Sequence, residues 1–274
     1  MLLDELENGD SAIAQAYSRH VHWGYWDDPA SSTNTPEDLA SATETMTLQL
    51  CELAGITEGH HVLDAGCGFG GTLASLNERY RSVDLTGLNI DERQIARARQ
   101  QVLPLNGNTV SFDVGNACAL PYADNSFDRI LAVECIFEFP SRETFLREAA
   151  RVLKPGGVLA LSDYVSAPAF LPLAYAAAMP WVQNVEGSGR FDVRVTSNGY
   201  RALAARTGLT LLSERNITPH TMPTYAHLRR LALPQLAGLQ VQGFKVMMGL
   251  LKLWARTGLL KYSLLSLQKP ATRE

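Results

Sequence analysis

The chain has few cysteines, and they are not spaced as pairs. Cys51, Cys67, Cys118 and Cys135 are the only ones in 274 residues, and no two of them form a C-x-x-C motif. Disulfides are therefore not expected. The stretch MLLDELENGD at the start also lacks the basic and then apolar pattern of a signal peptide, so we expect a cytoplasmic protein with reduced thiols.

Long runs of one residue class are also missing. Lys and Arg number 24 against 28 Asp and Glu, which gives a net charge of −4, and no basic run is present to attract nucleic acid. The most apolar stretches, AFLPLAYAAAMPWV and VMMGLLKLWA, are shorter than the roughly 20 residues needed to cross a bilayer. We expect neither a nucleic-acid partner nor a transmembrane segment, and the oligomeric state stays open.

The sequence instead contains an alternation of strand and helix patterns. A helix is predicted from Thr35, where TPEDLA supplies an N-cap, a proline and an early acid. The apolar runs HVLDAG, VDLTGLNI, TVSFDV, DRILAVE and VLALSDYV alternate with helical patterns further along. This order predicts an α/β fold built on a parallel sheet.

A glycine loop follows the first predicted strand. VLDAGCGFGG places Gly66, Gly68 and Gly71 in G-x-G-x-x-G spacing, which is typical of dinucleotide sites, although a turn without a ligand remains an alternative. Asp64 precedes the first glycine by two residues. Its carboxylate would repel a pyrophosphate and attract an ammonium group. A cationic ligand is therefore favoured over the nicotinamide cofactor of an oxidoreductase.

Three stretches resemble the class I methyltransferases that use S-adenosylmethionine. They are VLDAGCGFGG, the Gly115-Asn116-Ala117 step followed by ALPYADNSFDRILAVE, and RVLKPGG, and they cover about residues 62–163 in the family's order. The likeness is to small-molecule members of the methyltransferase type 11 group, near sugar O-methyltransferases and tocopherol methyltransferases. It implies a Rossmann-like, doubly wound sheet of seven strands, with S-adenosylmethionine as cofactor and S-adenosylhomocysteine as product.

The same resemblance suggests how the chain is divided. Residues 1–58 would form an N-terminal helical lid, and residues 59–274 would form the methyltransferase domain. Two insertions, near 167–190 and 222–257, would add a helical cap over the acceptor.

A cofactor site follows from the resemblance. Asp64 and the first two glycines would hold the methionine end, Asn89 the ribose, and Asn116 the adenine. Asn89 and Asn116 replace acids that are common in the family, and an amide can still donate and accept, although both could instead be turn residues. The full set of expected cofactor contacts is Tyr17, Asp64, Gly66, Cys67, Gly68, Asn89, Ile90, Gln94, Asn116, Ala117 and Glu134.

An unusual density of aromatic side chains precedes the first helix. In VHWGYW, residues 21–26, Trp23, Tyr25 and Trp26 join Tyr17 as candidates for a lid that excludes water from the reaction. The alternative is a clasp that fastens the N-terminal part to the body of the domain. We refer to residues 21–26 as the aromatic segment.

Three side chains are candidates for a general base. Glu138 in VECIFEFP stands where the family commonly has histidine, Asp163 ends the fifth strand, and His220 follows the sixth. Each could instead have a structural role. No cluster has convincing metal-ligand spacing, so no metal is expected.

The expected activity is methyl transfer to a small, hydrophobic natural-product acceptor, with oxygen as the target atom. Carbon or nitrogen methylation of a prenyl-like or amine acceptor remains an alternative, in which Glu134 and aromatic rings would stabilise a cation. A non-catalytic, cofactor-binding partner subunit is a further alternative. Possible acceptor contacts in the cap are Phe170, Tyr175, Met179, Trp181, Met222, Tyr225 and Met247.

Overall fold

A seven-stranded sheet forms the centre of the protein. The computed structural model describes residues 19–177, 192–236 and 238–271. The strand order is β3-β2-β1-β4-β5-β7-β6; β7 is antiparallel to both neighbours, and the other pairs are parallel. The strands are β1 (His61–Ala65), β2 (Asp84–Asn89), β3 (Thr109–Val114), β4 (Phe127–Ala132), β5 (Leu153–Ser166), β6 (Thr210–Asn216) and β7 (Leu260–Gln268).

Helices follow most of these strands, and β3 leads to β4 without one. The α-helices are α1 (Pro36–Ala54), α2 (Gly71–Arg79), α3 (Glu92–Gln101), α4 (Arg142–Val152), α5 (Leu171–Ala177), α6 (Ser197–Arg206), α7 (Thr218–Thr221), α8 (Thr224–Ala232) and α9 (Leu239–Arg256). Short 3₁₀ helices lie at Pro29–Ser31, Ile136–Glu138, Pro168–Phe170 and Leu233–Gln235. The expectation of a Rossmann-like seven-stranded α/β fold is confirmed.

The helix predicted from Thr35 forms as its sequence indicates. The Thr35 hydroxyl accepts a hydrogen bond from the backbone N–H of Asp38 at 3.3 Å, and the helix ends at Gly55 in the left-handed region. Its apolar stripe is buried, including Leu39, Met46 and Leu50. Because this stripe packs on β4, β5 and β7, α1 fixes the chain that precedes it against the sheet.

Apolar side chains from the strands form two separate clusters with different helices. One contains buried residues of α1, α2 and α3, such as Leu50, Leu73 and Ile95. The other contains buried residues of α4 and α6, such as Phe145 and Tyr200. A sheet that buries both faces accounts for the continuous apolar runs seen in the sequence.

The direction of the strand order reverses between β1 and β4, which are neighbours in the sheet. In open α/β sheets, ligands bind beyond the carboxyl ends of strands at such a reversal. Here those ends lead to Gly66 after β1, Asn89 at the end of β2, and Glu134 after β4. The fold therefore brings three of the predicted cofactor residues to one edge.

The predicted insertions contain helices in their described parts. Pro168–Phe170 and α5 occupy the first, residues 178–191 lie outside the described chain, and α8 and α9 occupy the second. The division at residue 58 remains a prediction. Across the described ranges, no helix is both long and apolar enough to span a membrane.

Candidate active site

The glycine loop between β1 and α2 has a conformation that requires glycine. Gly66 has φ +86°, and a Cβ atom there would lie 2.8 Å from the Cys135 sulfur. The backbone N–H groups of Gly66 and Cys67 both donate to the Leu88 carbonyl, at 2.8 and 3.0 Å. The loop is thus tied to the end of β2, and its backbone is open to close approach by a ligand.

Asp64 is a buried carboxylate without a partner. It is 1% exposed, and neither carboxylate oxygen accepts a hydrogen bond of normal geometry from the described protein. Burial raises the pKa of Asp64 to about 7, while the nearby Thr72 side chain lowers it in part. Since buried polar groups normally have partners, this carboxylate fits a cationic ligand next to the glycine loop.

A cavity of about 520 Å³ lies along the carboxyl ends of β1, β2 and β4, within the range typical of small-molecule sites. We refer to it as the main cavity. Eight of the predicted cofactor residues line it together: Gly66, Gly68, Asn89, Ile90, Gln94, Asn116, Ala117 and Glu134. Glu138 lines the same cavity. A smaller cavity of about 60 Å³ adjoins it at the glycine loop and includes Cys67 and Thr72.

Asn89 and Gln94 form a pair on the cavity wall. The Asn89 amide donates to the Gln94 side-chain carbonyl at 2.6 Å, and its own carbonyl accepts from the Ile90 N–H at 2.8 Å. These bonds fix the orientation of Asn89 while leaving a second amide hydrogen for a ligand. Asn116 is similarly oriented, because its carbonyl accepts from the Cys118 N–H at 2.8 Å.

Glu134 connects the aromatic segment to the sheet. Its carboxylate accepts hydrogen bonds from the Trp23 N–H at 2.6 Å and the Tyr262 hydroxyl at 2.9 Å. Its own N–H donates to the Ser162 hydroxyl at 2.8 Å. Burial raises the pKa of this carboxyl to about 8, even though both hydrogen bonds lower it. Glu134 also has φ +52°, a costly value for a residue other than glycine, and such strain often accompanies functional sites.

The side chain of Trp23 is surrounded by tyrosines. Its ring stacks on Tyr262 at 5.8 Å and meets Tyr225 and Tyr164 edge-on, with ring centroids 4.8 and 6.0 Å away. These residues line a small enclosed space of about 10 Å³, which we call the aromatic cavity. The Tyr262 hydroxyl donates to Glu134, which lines the main cavity, and so links the aromatic cavity to it. No short sequence pattern around Tyr262 indicates that its side chain contacts this site.

The rest of the aromatic segment serves as a clasp. Tyr25 and Trp26 are buried, and the Trp26 indole N–H donates to Asp38 at 2.8 Å. The His220 ring stacks on Tyr25 at 4.5 Å, and its Nδ1 lies 2.8 Å from the Trp26 carbonyl. Tyr17 lies outside the described residues. These contacts fit the clasp interpretation for Tyr25 and Trp26, and the lid role stays a prediction.

The three candidate bases lie in different environments. Glu138 lines the main cavity, its carboxylate has no hydrogen bond or ion pair within the described chain, and burial raises its pKa. The His220 ring is held by its contacts with Tyr25 and the Trp26 carbonyl. Asp163 is fully buried and accepts from Arg142 at 2.7 and 3.1 Å and from the Tyr200 hydroxyl. The structure therefore does not bring Asp163 or His220 to the main cavity, because both are held by structural partners.

The predicted acceptor contacts are also divided. Tyr225 lines the aromatic cavity. Phe170 is buried against Trp254, with ring centroids 4.9 Å apart, and Tyr175 and Met247 are exposed. Met222 is absent from the linings of these cavities, whereas Met179 and Trp181 lie outside the described residues. The aromatic residues on β5 and β7 that surround Trp23 were not among the sequence candidates.

The fold, the glycine loop and the unpartnered Asp64 define a class I methyltransferase site, and comparisons with known proteins identify the family. Residues 63–161 match a family described as a methyltransferase domain, Methyltransf_11. The chain is 37% identical to methyltransferase GfsG of Streptomyces halstedii over 81% of this chain and 77% of that protein. It is 32% identical to 27-O-demethylrifamycin SV methyltransferase of Amycolatopsis mediterranei (strain S699) over 97% of each.

The chain belongs to this family of S-adenosylmethionine-dependent methyltransferases. A solved structure of geranyl diphosphate C-methyltransferase from Streptomyces coelicolor A3(2) superimposes with a TM-score of 0.71, covering 95% of this chain and 97% of that one. At 19% identity, this likeness concerns the fold. The cofactor is S-adenosylmethionine, as the resemblance implied, and the unpartnered buried carboxylate of Asp64 fits the ammonium group that this cofactor carries.

Proposed function

We propose that the chain methylates an oxygen atom of a small, hydrophobic acceptor of the natural-product type. The relative from Amycolatopsis mediterranei carries an O-demethylated compound in its name, which favours oxygen. The main cavity, of about 520 Å³, has the apolar side chains of Val21, Phe69 and Phe139 in its lining, which suits a hydrophobic acceptor. We also propose a cytoplasmic location, which is supported by four cysteines that are all free thiols.

The observation that carries this proposal is the free carboxylate of Glu138. Asp163 and His220 are held by structural partners, and Glu134 accepts two hydrogen bonds. Glu138 alone among these four combines a place on the main cavity with a carboxylate that has no partner in the described chain. A base must reach the proton that it removes, so this position favours Glu138 over the other candidates.

The cofactor supplies a methyl group on a positively charged sulfonium, which an acceptor oxygen attacks in line. Asp64 would hold the ammonium group of the methionine end, while Asn89 and Gln94 would bind the ribose hydroxyls. Asn116 and Ala117 would contact the adenine. These residues lie at or beyond strand ends and on a loop held by backbone hydrogen bonds, which favours alignment of the acceptor and the methyl carbon.

Proton removal is the step assigned to Glu138. The Glu138 carboxylate would take the proton of the acceptor hydroxyl as that oxygen accepts the methyl group that the cofactor would supply, with the electron pair of the methyl–sulfur bond left on sulfur. The carboxylate must be ionised for this step. Because partial desolvation raises the pKa of Glu138, the acidic limb of the rate profile should lie at a higher pH than a fully solvated glutamate would give.

Carbon methylation is the second candidate, and the rings around Trp23 favour it. Trp23, Tyr225 and Tyr262 present aromatic faces and edges close to the Glu134 carboxylate. Such an arrangement stabilises a carbocation by cation–π and charge interactions. In that mechanism no proton need leave an acceptor hydroxyl, and Glu138 would have little effect.

The test compares Glu138→Gln with Glu143→Gln, a half-buried glutamate on α4 that pairs with Arg147 and Arg206 and lines none of these cavities. With labelled S-adenosylmethionine and a panel of phenolic, polyketide and prenyl acceptors, Glu138→Gln should lower turnover by about 10²- to 10⁴-fold. Binding of S-adenosylhomocysteine should stay unchanged in both variants. Normal turnover by Glu138→Gln, with product methylated at carbon, would overturn the proposal in favour of the second candidate.

A further inference from the structure

A second polar cavity lies between α8 and α9, away from the main cavity. It has a volume of about 160 Å³ and is lined by Tyr225, Ala226, Arg229, Lys245, Met248, Gly249 and Lys252. Three of the seven residues carry a positive charge, and no acid lines the space. We refer to it as the cationic cavity.

The three cations have no counter-charge nearby in the described chain. Arg229, Lys245 and Lys252 form no salt bridge with any described residue, whereas other described arginines, such as Arg142 and Arg151, are paired with acids. The sequence explains this difference, because residues 215–273 contain no aspartate or glutamate. In a protein with a net charge of −4, this is a local excess of positive charge built into one pair of helices.

The cationic cavity is connected to the active site through shared residues. Tyr225 lines both the cationic and the aromatic cavity. On α9, Lys252 lines the former and Ala255 the latter, and they are about one helical turn apart. The aromatic cavity in turn reaches Glu134 through Tyr262, and Glu134 lines the main cavity. The aromatic cavity therefore neighbours both the cationic cavity and, through Tyr262 and Glu134, the main cavity.

We infer that the cationic cavity binds an anionic group on the acceptor, a carboxylate or a phosphate ester remote from the methylated atom. Arg229 offers a planar fork for a carboxylate or phosphate, and the two lysines add point charges. The apolar part of the acceptor would then pass Tyr225 toward Trp23 and the main cavity. This inference rests on the proposed function and narrows it to acidic acceptors.

Direct binding of simple probes tests the site without knowledge of the acceptor. Decanoate, decyl phosphate and neutral decanol are titrated into the full chain below their aggregation limits, in the presence of S-adenosylhomocysteine. At least one of the two anions should bind about tenfold or more tightly than decanol, and added salt should weaken that binding. The two anions distinguish a carboxylate from a phosphate site. Equal binding of all three probes would overturn the inference.

Charge-removing variants then locate the site. Arg229→Gln with Lys245→Gln should weaken anion binding about tenfold or more while leaving decanol and S-adenosylhomocysteine binding unchanged. Arg256→Gln is the control, since Arg256 is exposed on the same helix and does not line the cavity. Equal anion binding by the double variant and this control would contradict the inference. A loss confined to binding of anionic lipid vesicles would also contradict it, because it would indicate a membrane-facing surface.

Measurements of methyl transfer distinguish a failure of this inference from a failure of the proposed function. For acceptors offered as free acid and as methyl ester, the acid should have the lower KM, and the double variant should remove that preference with little change in kcat. Specific anion binding without methylation of any acceptor at oxygen would refute the proposed function and leave the binding site standing. Methylation with no preference for acids would refute the anionic subsite alone.

Discussion

The buried Asp64 carboxylate should lower the stability of the ligand-free protein and strengthen cofactor binding. Its carboxyl is 1% exposed and lacks a hydrogen-bond partner, so the ionised form is costly in the protein without ligand. Asp64→Asn keeps the shape of the side chain and removes the charge. We expect this variant to be more stable than the original protein at neutral and alkaline pH, and to bind S-adenosylhomocysteine less tightly.

The size of the effect follows from the pKa of Asp64. Burial raises it from 3.8 to about 7, so between these values the folded protein keeps a proton that the unfolded chain releases. Stability from this group is therefore complete below pH 3.8 and is lost as pH rises to about 7. Each pKa unit corresponds to about 1.4 kcal/mol. Relative to low pH, the raised pKa of Asp64 therefore lowers the free energy of unfolding by about 2 kcal/mol at pH 5 and about 4 kcal/mol at pH 8.

Urea unfolding of both proteins at pH 5 and pH 8, without ligand, measures this difference. The advantage of Asp64→Asn in free energy of unfolding should grow by about 2 kcal/mol between the two pH values, because other titrating groups cancel in the comparison. Calorimetry should show S-adenosylhomocysteine affinity lowered by about 1 to 3 kcal/mol through loss of a charge-assisted bond. A variant that is equally destabilised at both pH values would refute the reasoning.

Two further variants separate structural residues from those of the site. Asp163→Asn leaves the buried Arg142 charge poorly compensated and should lower the free energy of unfolding by about 3 to 5 kcal/mol, with S-adenosylhomocysteine affinity unchanged. Chemical unfolding and calorimetry measure both quantities, and a folded, stable variant would contradict the structural role. Trp23→Ala should lower the free energy of unfolding by about 3 kcal/mol. It should also reduce turnover more strongly than it reduces cofactor affinity, because the Trp23 ring contacts Tyr225 and Tyr262 on the proposed acceptor side. Steady-state kinetics at a temperature where the variant is folded test this, and unchanged turnover would reduce Trp23 to a clasp residue.

Much of the fold could be predicted because its signals are local. Strand and helix alternation, the N-cap at Thr35 and the glycine loop after β1 each depend on residues close in the chain. The resemblance to methyltransferases pointed to Asp64 and Asn89, which lie at the carboxyl ends of β1 and β2, and to Asn116, which follows β3; their roles toward the cofactor stay predictions. Such signals determine which element forms and which end of a strand a residue occupies.

The partners of buried polar groups could not be predicted in the same way. Asp163 was expected to end the fifth strand, but β5 continues to Ser166, and the Asp163 carboxylate accepts hydrogen bonds from Arg142 on α4 and Tyr200 on α6. The Tyr262 hydroxyl meets Glu134 across 128 residues of sequence, and neither short stretch indicates the other. Local patterns indicate that a polar residue is buried, whereas its partner depends on how distant elements pack.

Transfer of an isotopically labelled methyl group tests the central claim most directly. The full chain is incubated with S-adenosylmethionine carrying a trideuterated methyl group and with phenolic, polyketide and prenyl acceptors, each as free acid and as ester. High-resolution mass spectrometry with fragmentation then locates the label. We predict a product that carries one trideuteromethyl group on oxygen, formed together with S-adenosylhomocysteine and strongly reduced in Glu138→Gln. Label found on carbon, at a rate unaffected by Glu138→Gln, would contradict the account.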